Sequence, residues 1–370
     1  MQFPSTWEIK RSIGFEIDVI FTMLNDFLPL AGLSPTMVNF LDQIPSDMVT
    51  EIRLLLGEGK HFYSLMLPAA YAAGTIFEED FTQATLPIRQ MEIKDAVEGM
   101  VRQGHLDGIN VSESPELSIN DQWLRIYKDL FQQSAERLGF NAEHHKTHTQ
   151  YIDSDLILLS RFLKGGDLHA RFWHWMDRFY YQTYLPWRTT RLELMTAESE
   201  RARMALGAPG SPLPVDWLPQ SNPLRISAEI IETMQTQGLN VIFIVEPFQL
   251  PDFWVIYPHG LMTSFAEGKD LYTHFFAFID DLSLRLKALA DPTRLAILRA
   301  IRSSPQDNTL IATHLGVSRP TVSIHAKQLR EAGLIRTYEA GRSVRHEVIY
   351  EEVRQLFHDL ERFLDLPPED

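Results

Sequence analysis

Residues 310–333, LIATHLGVSRPTVSIHAKQLREAG, decide the fold. Within them Val322, Ala326 and Leu329 recur at spacings of four and three, so a helix opening at Ser318 turns that stripe to a core. Ser318 is a good N-cap, and Pro320 is tolerated in a first turn, where its missing N–H has no intrahelical acceptor to lose. Upstream, Thr309 to Leu315 forms a shorter helical stretch that stops at Gly316 and Val317. A short helix, a glycine-bearing turn and a second helix make the helix-turn-helix pattern. With the stripe fixed, Arg319, Thr321, Ser323, Ile324 and Lys327 project outward. A helix laid in the major groove needs donors for base edges near its N-terminal half and apolar groups for thymine methyls. Arg319, Thr321 and Ser323 meet the first need and Ile324 the second; Ser318 and Lys327 complete the expected DNA-facing set. His325 lies beside the core stripe and admits two readings, a packed hydrogen-bonded histidine or a base contact.

After Gly333 the periodicity changes to two, from Leu334 to Tyr338 and again from Ser343 to Ile349, which reads as a β-hairpin with Gly341 at its tip. Arg342 and Arg345 flank that tip and are placed to lay cations along a phosphate backbone or an adjacent minor groove. The competing reading is a solvated hairpin with ordinary surface arginines. On the other side, Leu282 to Ala290 is apolar at 282, 286, 289 and 290. Asp291 and Pro292 then supply an N-cap and an N1 proline for PTRLAILRAI, whose apolar positions are Leu295, Ile297, Leu298 and Ile301.

Charge marks off the same module. Residues 282–349 hold eleven Lys and Arg against five Asp and Glu, a balance of +6, whereas residues 1–281 carry −16 and residues 350–370 carry −5 within a chain of net −15. Averaged over the chain, the acidity argues against nucleic acid; the local balance reverses that argument, because phosphate neutralisation needs clustered cations.

The runs KALADPTRLAILRAI and LIATHLGVSRPTVSIHAKQLREAGLIRTYEAGRSVRHEVI, in that order and spacing, resemble the ArsR family of winged-helix repressors. The resemblance covers about a quarter of the chain. It implies a homodimer bound to an imperfect palindrome in double-stranded DNA, usually a repressor released by an effector. It also implies a dimer interface built from the helix around residues 282–290 and the last helix, hence from Leu282, Leu286, Leu289, Val353, Leu356, Phe357, Leu360 and Phe363. Packing of the last helix against the chain's own front half is the competing reading. Metal-sensing relatives use cysteines, of which this chain has none, or an Asp-x-His and His-x-x-Glu quartet. His358 and Glu361 have the second spacing, but Glu347 and Arg345 stand where Asp-x-His is required. The pair is therefore read as a solvated face, with no metal and a non-metal effector.

The expected fold class is mainly α with minor β (α+β), as a helical domain over 1–206, a linker and small α/β segment over 207–281 packed on it, and the winged helix-turn-helix with its C-terminal helix over 282–370. Phe15, Val19, Phe21, Met23 and Leu24 predict one helix, and Trp123 to Leu138, stopped by Gly139, predicts another. Asp167 to Glu200 predicts a third, interrupted at Pro186 and aromatic on all sides. Five prolines in 207–223 predict an irregular connection, and Val241–Val245 with Phe253–Tyr257 predict a strand pair.

The RFWHW run at 171–175 and the VEPFQLPDFWVIYPHG run resemble a subset of the family with a large helical front domain. Trp173, Trp175, Tyr180 and Tyr184 are the candidate lining of a pocket for a flat or hydrophobic effector, set against simple core packing. Glu143, His144, His145 and His148 offer metal donors without the metalloprotease spacing, and His169, His174 and His259 sit among aromatics as pocket wall or core. No phosphate loop, dinucleotide fingerprint or nucleophile elbow occurs, so no cofactor and no enzymatic activity are expected. An enzyme or ligand-binding protein carrying a regulatory DNA module is the alternative. Residues 1–10 lack a secretory pattern, and no apolar run reaches the ~18 residues of a membrane span, which gives the expectation of a cytoplasmic protein.

Overall fold

The computed structural model describes residues 7–24, 35–57, 64–139, 152–206, 218, 228–237, 239–250, 254–258, 260–265, 271–302, 306–341 and 343–364. The chain divides into two compact units, one running to Leu271 and the other beginning at Tyr272.

The first unit opens with strand β1 (Trp7–Lys10) and helix α1 (Ile13–Leu24), which is buried on every side. There follow α2 (Pro35–Leu41), α3 (Ser46–Leu56), α4 (Met66–Ala73), α5 (Phe81–Gln90), α6 (Ile93–Leu106), α7 (Ile119–Arg137), α8 (Ile152–Phe162) and α9 (His169–Phe179), of which α4, α5 and α9 pack against α1. Such a helix needs its polar groups answered internally. Asp18 accepts the N–H groups of Leu65, Met66 and Leu67 at 3.0, 2.7 and 2.9 Å, closing the N-terminus of α4. Glu16 takes the Arg188 guanidinium at 2.7 and 3.0 Å and the Tyr184 hydroxyl at 2.5 Å.

After α9 the backbone does not break at Pro186 but widens into a π-turn over Tyr180–Tyr184, with the Leu185 N–H bonded five residues back to Tyr180. Pro186 has no N–H to return to residue 182, and the wider turn takes up that loss. The helix resumes as α10 (Leu185–Thr189), and the real break falls before α11 (Leu192–Leu206).

Helix α12 (Ala228–Gln237) leads to strands β2 (Asn240–Ile244), β3 (Trp254–Tyr257) and β4 (Gly260–Ser264). The sheet order is β1-β2-β4-β3, with β1, β2 and β4 parallel and β3 antiparallel to β4. This corrects the expected strand pair: β2 and β3 are not neighbours, because β4, whose Gly260–Ser264 run lacks an obvious β-branched pattern, lies between them. It also ties the strands of the expected 207–281 segment into the first unit, since β2 pairs with Trp7–Lys10 in register from Trp7 with Val241 to Lys10 with Ile244, whereas residues 272–281 belong to the second unit.

The second unit begins with α13 (Leu271–Leu289), one continuous helix where the sequence suggested a boundary at 282. There follow α14 (Pro292–Ile301), β5 (Gln306–Asp307), α15 (Asn308–Leu315), α16 (Arg319–Glu331), β6 (Ile335–Ala340), β7 (Ser343–Val348) and α17 (Tyr350–Phe363). The three strands form a sheet in the order β5-β7-β6. Leu282, Ile297, Ile301, Ile311, Val322, Leu329, Leu334, Ile335 and Leu356 are its buried core. This is a winged helix-turn-helix in a mostly helical chain.

Candidate nucleic-acid interface

Helix α16 starts where the sequence places it. The Ser318 hydroxyl accepts the Thr321 N–H at 3.2 Å, and Gly316 turns the chain at φ 67° after capping α15. Gly333, at φ 72°, closes the far end. Both angles lie in the left-handed region, where a side chain is strained. Val322, Ala326 and Leu329 are buried, and Arg319, Ser323, Ile324 and Lys327 are exposed, Ile324 by 60%. An isoleucine so exposed on a helix otherwise polar outside suits contact with a base-edge methyl.

Several of the expected groups also meet neighbours within the protein. The Thr321 hydroxyl is hydrogen-bonded to that of Ser318 at 2.7 Å, so it serves the cap. His325 is half-buried with Nδ1 3.6 Å from an Asp291 carboxylate oxygen and no hydrogen-bond partner at that nitrogen. Lys327 lies 3.7 Å from Glu331, an exposed pair of little strength.

The wing is a hairpin in which Ala340 pairs with Ser343, leaving a two-residue connection that Gly341 enters at φ 64°. A positive φ at that position is shared by the turns that match strand twist. Arg342 lies outside the described residues. Arg345 is exposed and pairs across the ladder with Tyr338, itself 39% exposed. The buried His346 fixes the wing to the helix pair: Nε2 donates to the Asn308 side-chain oxygen at 2.8 Å, and Nδ1 accepts from the Thr337 hydroxyl at 3.0 Å. Burial holds its imidazole below the ordinary 6.5, and the Arg330 charge adds to that.

Asp307 is where helix pair and wing meet. Its carboxylate accepts the N–H groups of Leu310 and Thr309, which hold it below the usual carboxylate range, and the charges of Arg319 and Arg345 lower it further. Cations from α16 and from β7 are thus gathered around one capping carboxylate, and Arg319 also donates to the Thr309 hydroxyl. Sequence reading missed Thr309, Tyr338 and Asp307 as members of this surface; the N-cap spacing of Asp307 was the one signal available for it.

Of the residues expected at a dimer interface, Leu282 and Leu356 are spent on the unit's own core. Leu286, Leu289, Val353 and Leu360 are partly buried against that core, whereas Phe357 and Phe363 are 50% and 37% exposed. The four aromatic residues expected to line a pocket are all buried. Trp173 donates to the Phe162 carbonyl at 3.1 Å, Trp175 to the Met48 carbonyl at 2.9 Å, and Tyr180 stacks on Phe81 at 3.7 Å. Tyr184 is committed to Glu16. His169 Nδ1 is 2.9 Å from the Phe162 carbonyl, while His174 and His358 are exposed, as is Glu361. Glu143, His144, His145, His148 and His259 lie outside the described residues. Among the described residues no cluster of three or more His, Cys, Asp or Glu is placed to hold a metal ion. No helix among them is long and apolar enough to cross a membrane.

Residues 291–337 match the family described as bacterial regulatory protein, arsR family. A 62-residue stretch is 36% identical to the "Probable mercury resistance operon repressor" of Streptomyces lividans, covering 17% of this chain and 50% of that protein. A 61-residue stretch is 48% identical to the HTH-type transcriptional regulator CmtR of Mycobacterium bovis, covering 16% and 51% respectively. The chain therefore spans only about half the length of these relatives. Among solved structures, an ArsR-like transcriptional regulator from Rhodococcus sp. RHA1 is 29% identical over 24% of this chain and 84% of that one, with a TM-score of 0.23.

Proposed function

Starting from an ArsR-family helix-turn-helix domain in the C-terminal region of a longer chain, we propose that the protein is a cytoplasmic, homodimeric repressor and not an enzyme. In this reading its acidic first unit senses a small molecule or a partner. The single observation that carries the DNA-reading surface is the division of α16. One side is fully committed to the core through Val322, Ala326 and Leu329, while Arg319, Ser323, Ile324 and Lys327 stand outward beside Arg345 of the wing. Two such helices in a two-fold dimer read half-sites about 34–36 Å apart. Exposed Phe357 and Phe363 on α17 support self-association through that helix.

The test is selection of duplexes from a random-sequence library by the full chain, followed by footprinting. The expected product is an inverted repeat with a spacing of about ten base pairs between half-site centres. Enrichment of no sequence over the starting pool refutes the base-reading assignment.

A further inference from the structure

The corner between α13 and α14 is held by one side chain. Arg294 Nε and Nη2 donate to the carbonyls of Ala288 and Lys287 at 2.6 and 2.7 Å, two of the groups that the last turn of α13 leaves without helical partners. Its backbone N–H donates to the Asp291 carboxylate at 3.0 Å, so that the same residue is bonded on both sides of the two-residue bend. The remaining nitrogen, Nη1, reaches across to the Gln328 side-chain oxygen of α16 at 2.5 Å. Three residues earlier on α16, His325 faces Asp291 of the same corner. Helix α16 is thus tied from behind to the bend through Gln328, with His325 lying over the same corner.

Helix α13 is itself anchored further along, where Arg285 donates to Asp359 of α17 at 2.9 Å and Gln355 holds the other oxygen of that carboxylate at 2.7 Å. Its first residues are the covalent exit from the first unit. We propose that Arg294 is a positioning residue for DNA reading: through Gln328 it makes the orientation of α16 follow the end of α13. A planar guanidinium with donors in a fixed fork can satisfy two carbonyls and an amide oxygen at once, which a lysine ammonium cannot do in this geometry. The inference rests on reading α16 as the groove helix.

The test uses the full chain, the duplex that it enriches from a random library, and a scrambled duplex of equal length. Arg294→Gln and Gln328→Ala should each lower the ratio of affinities for enriched over scrambled DNA about tenfold, the scale expected of a residue that couples without touching ligand. Affinity for the scrambled duplex should stay within about threefold, because no phosphate-facing cation is removed. The double variant should lose no more than either single one, since both break the same link. Gln328 is exposed, so its truncation spares the core and keeps the test valid if Arg294→Gln does not fold. An enriched duplex whose discrimination survives Gln328→Ala, or losses that add in the double variant, overturns the inference alone. Failure to enrich any duplex overturns the groove-helix reading and this inference with it.

Discussion

Leu356 and Phe357 are adjacent on α17 and have opposite fates, which makes them a sharp probe of how the C-terminal helix is used. Leu356 is 0% exposed within the core of the second unit, and Phe357 is 50% exposed. Leu356→Ala removes buried methyl groups and leaves a cavity, at a cost of about 2–5 kcal/mol. Phe357→Ala forfeits only the half of the ring already in contact, about 1 kcal/mol when full burial of a phenylalanine is taken as about 1.5–3 kcal/mol. If a second copy covers the other half in a two-fold dimer, the same substitution removes about 1 kcal/mol more from each protomer. Association then weakens by about 2 kcal/mol, or about 30-fold in dissociation constant. Hydrogen exchange of the core amides of α14 and α16 reads the first effect, and sedimentation equilibrium over a concentration series reads the second. Leu356→Ala should loosen the core at any concentration, whereas Phe357→Ala should shift the monomer–dimer balance with little local opening. An unchanged balance after Phe357→Ala refutes dimerisation through this face, and a Leu356→Ala variant as mild as Phe357→Ala refutes the burial argument.

Arg319→Ala should reduce discrimination between enriched and scrambled duplex by about 1–3 kcal/mol, whereas Arg345→Ala should weaken both alike and lower the salt slope by about 1. Fluorescence anisotropy across salt concentrations separates them, and equal losses on both duplexes for Arg319→Ala would count against base reading. Asp307→Asn keeps an equally good N-cap while removing the anion between Arg319 and Arg345, so it should tighten binding to all sequences by about 0.5 kcal/mol; weaker binding would contradict the placement of those charges. Because the folded His346 titrates below its ordinary 6.5, its contribution to the second unit is present above that pH and is lost as pH falls through the folded value. Asp18, and Glu246, which follows β2 and accepts the Phe248 and Leu250 N–H groups and the Ser264 hydroxyl, have the opposite sign. Burial pushes them up from 3.8 to about 8 and from 4.5 to about 7, so their contributions to the first unit are complete in acid and are lost as pH rises through those values. Protection factors, corrected for intrinsic exchange and resolved by unit, should therefore rise with pH in the second unit below 6.5 and fall with pH in the first, and parallel changes would contradict one of the two assignments.

The helix-turn-helix was legible because its signals are local: a cap, a positive-φ glycine and a stripe at helical spacing, all within Ser318–Gly333. The wing was legible for the same reason, from the change of period after Gly333. What escaped were features made by contacts distant in sequence. Strand β4 shows no strong alternation, and only its pairing with Asn240–Ile244 makes it the second central strand. The aromatic run after Asp167 was legible as buried, but the roles of its members follow from Glu16, Met48 and Phe81, more than 80 residues away. The Arg294 clamp sits in a motif that reads simply as a helix start, and nothing in its spacing announces Gln328.

Gly316 and Gly333 frame α16, three inward side chains seat it on the core, and Gln328 ties it to Arg294. The four outward positions contribute almost nothing to folding, so exchanges among polar or small residues there are expected to fall within about 0.5 kcal/mol of neutral. Such a cassette can be retargeted: drift or deliberate grafting at Arg319, Ser323, Ile324 and Lys327 is able to rewrite the recognised operator while the scaffold beneath stays intact.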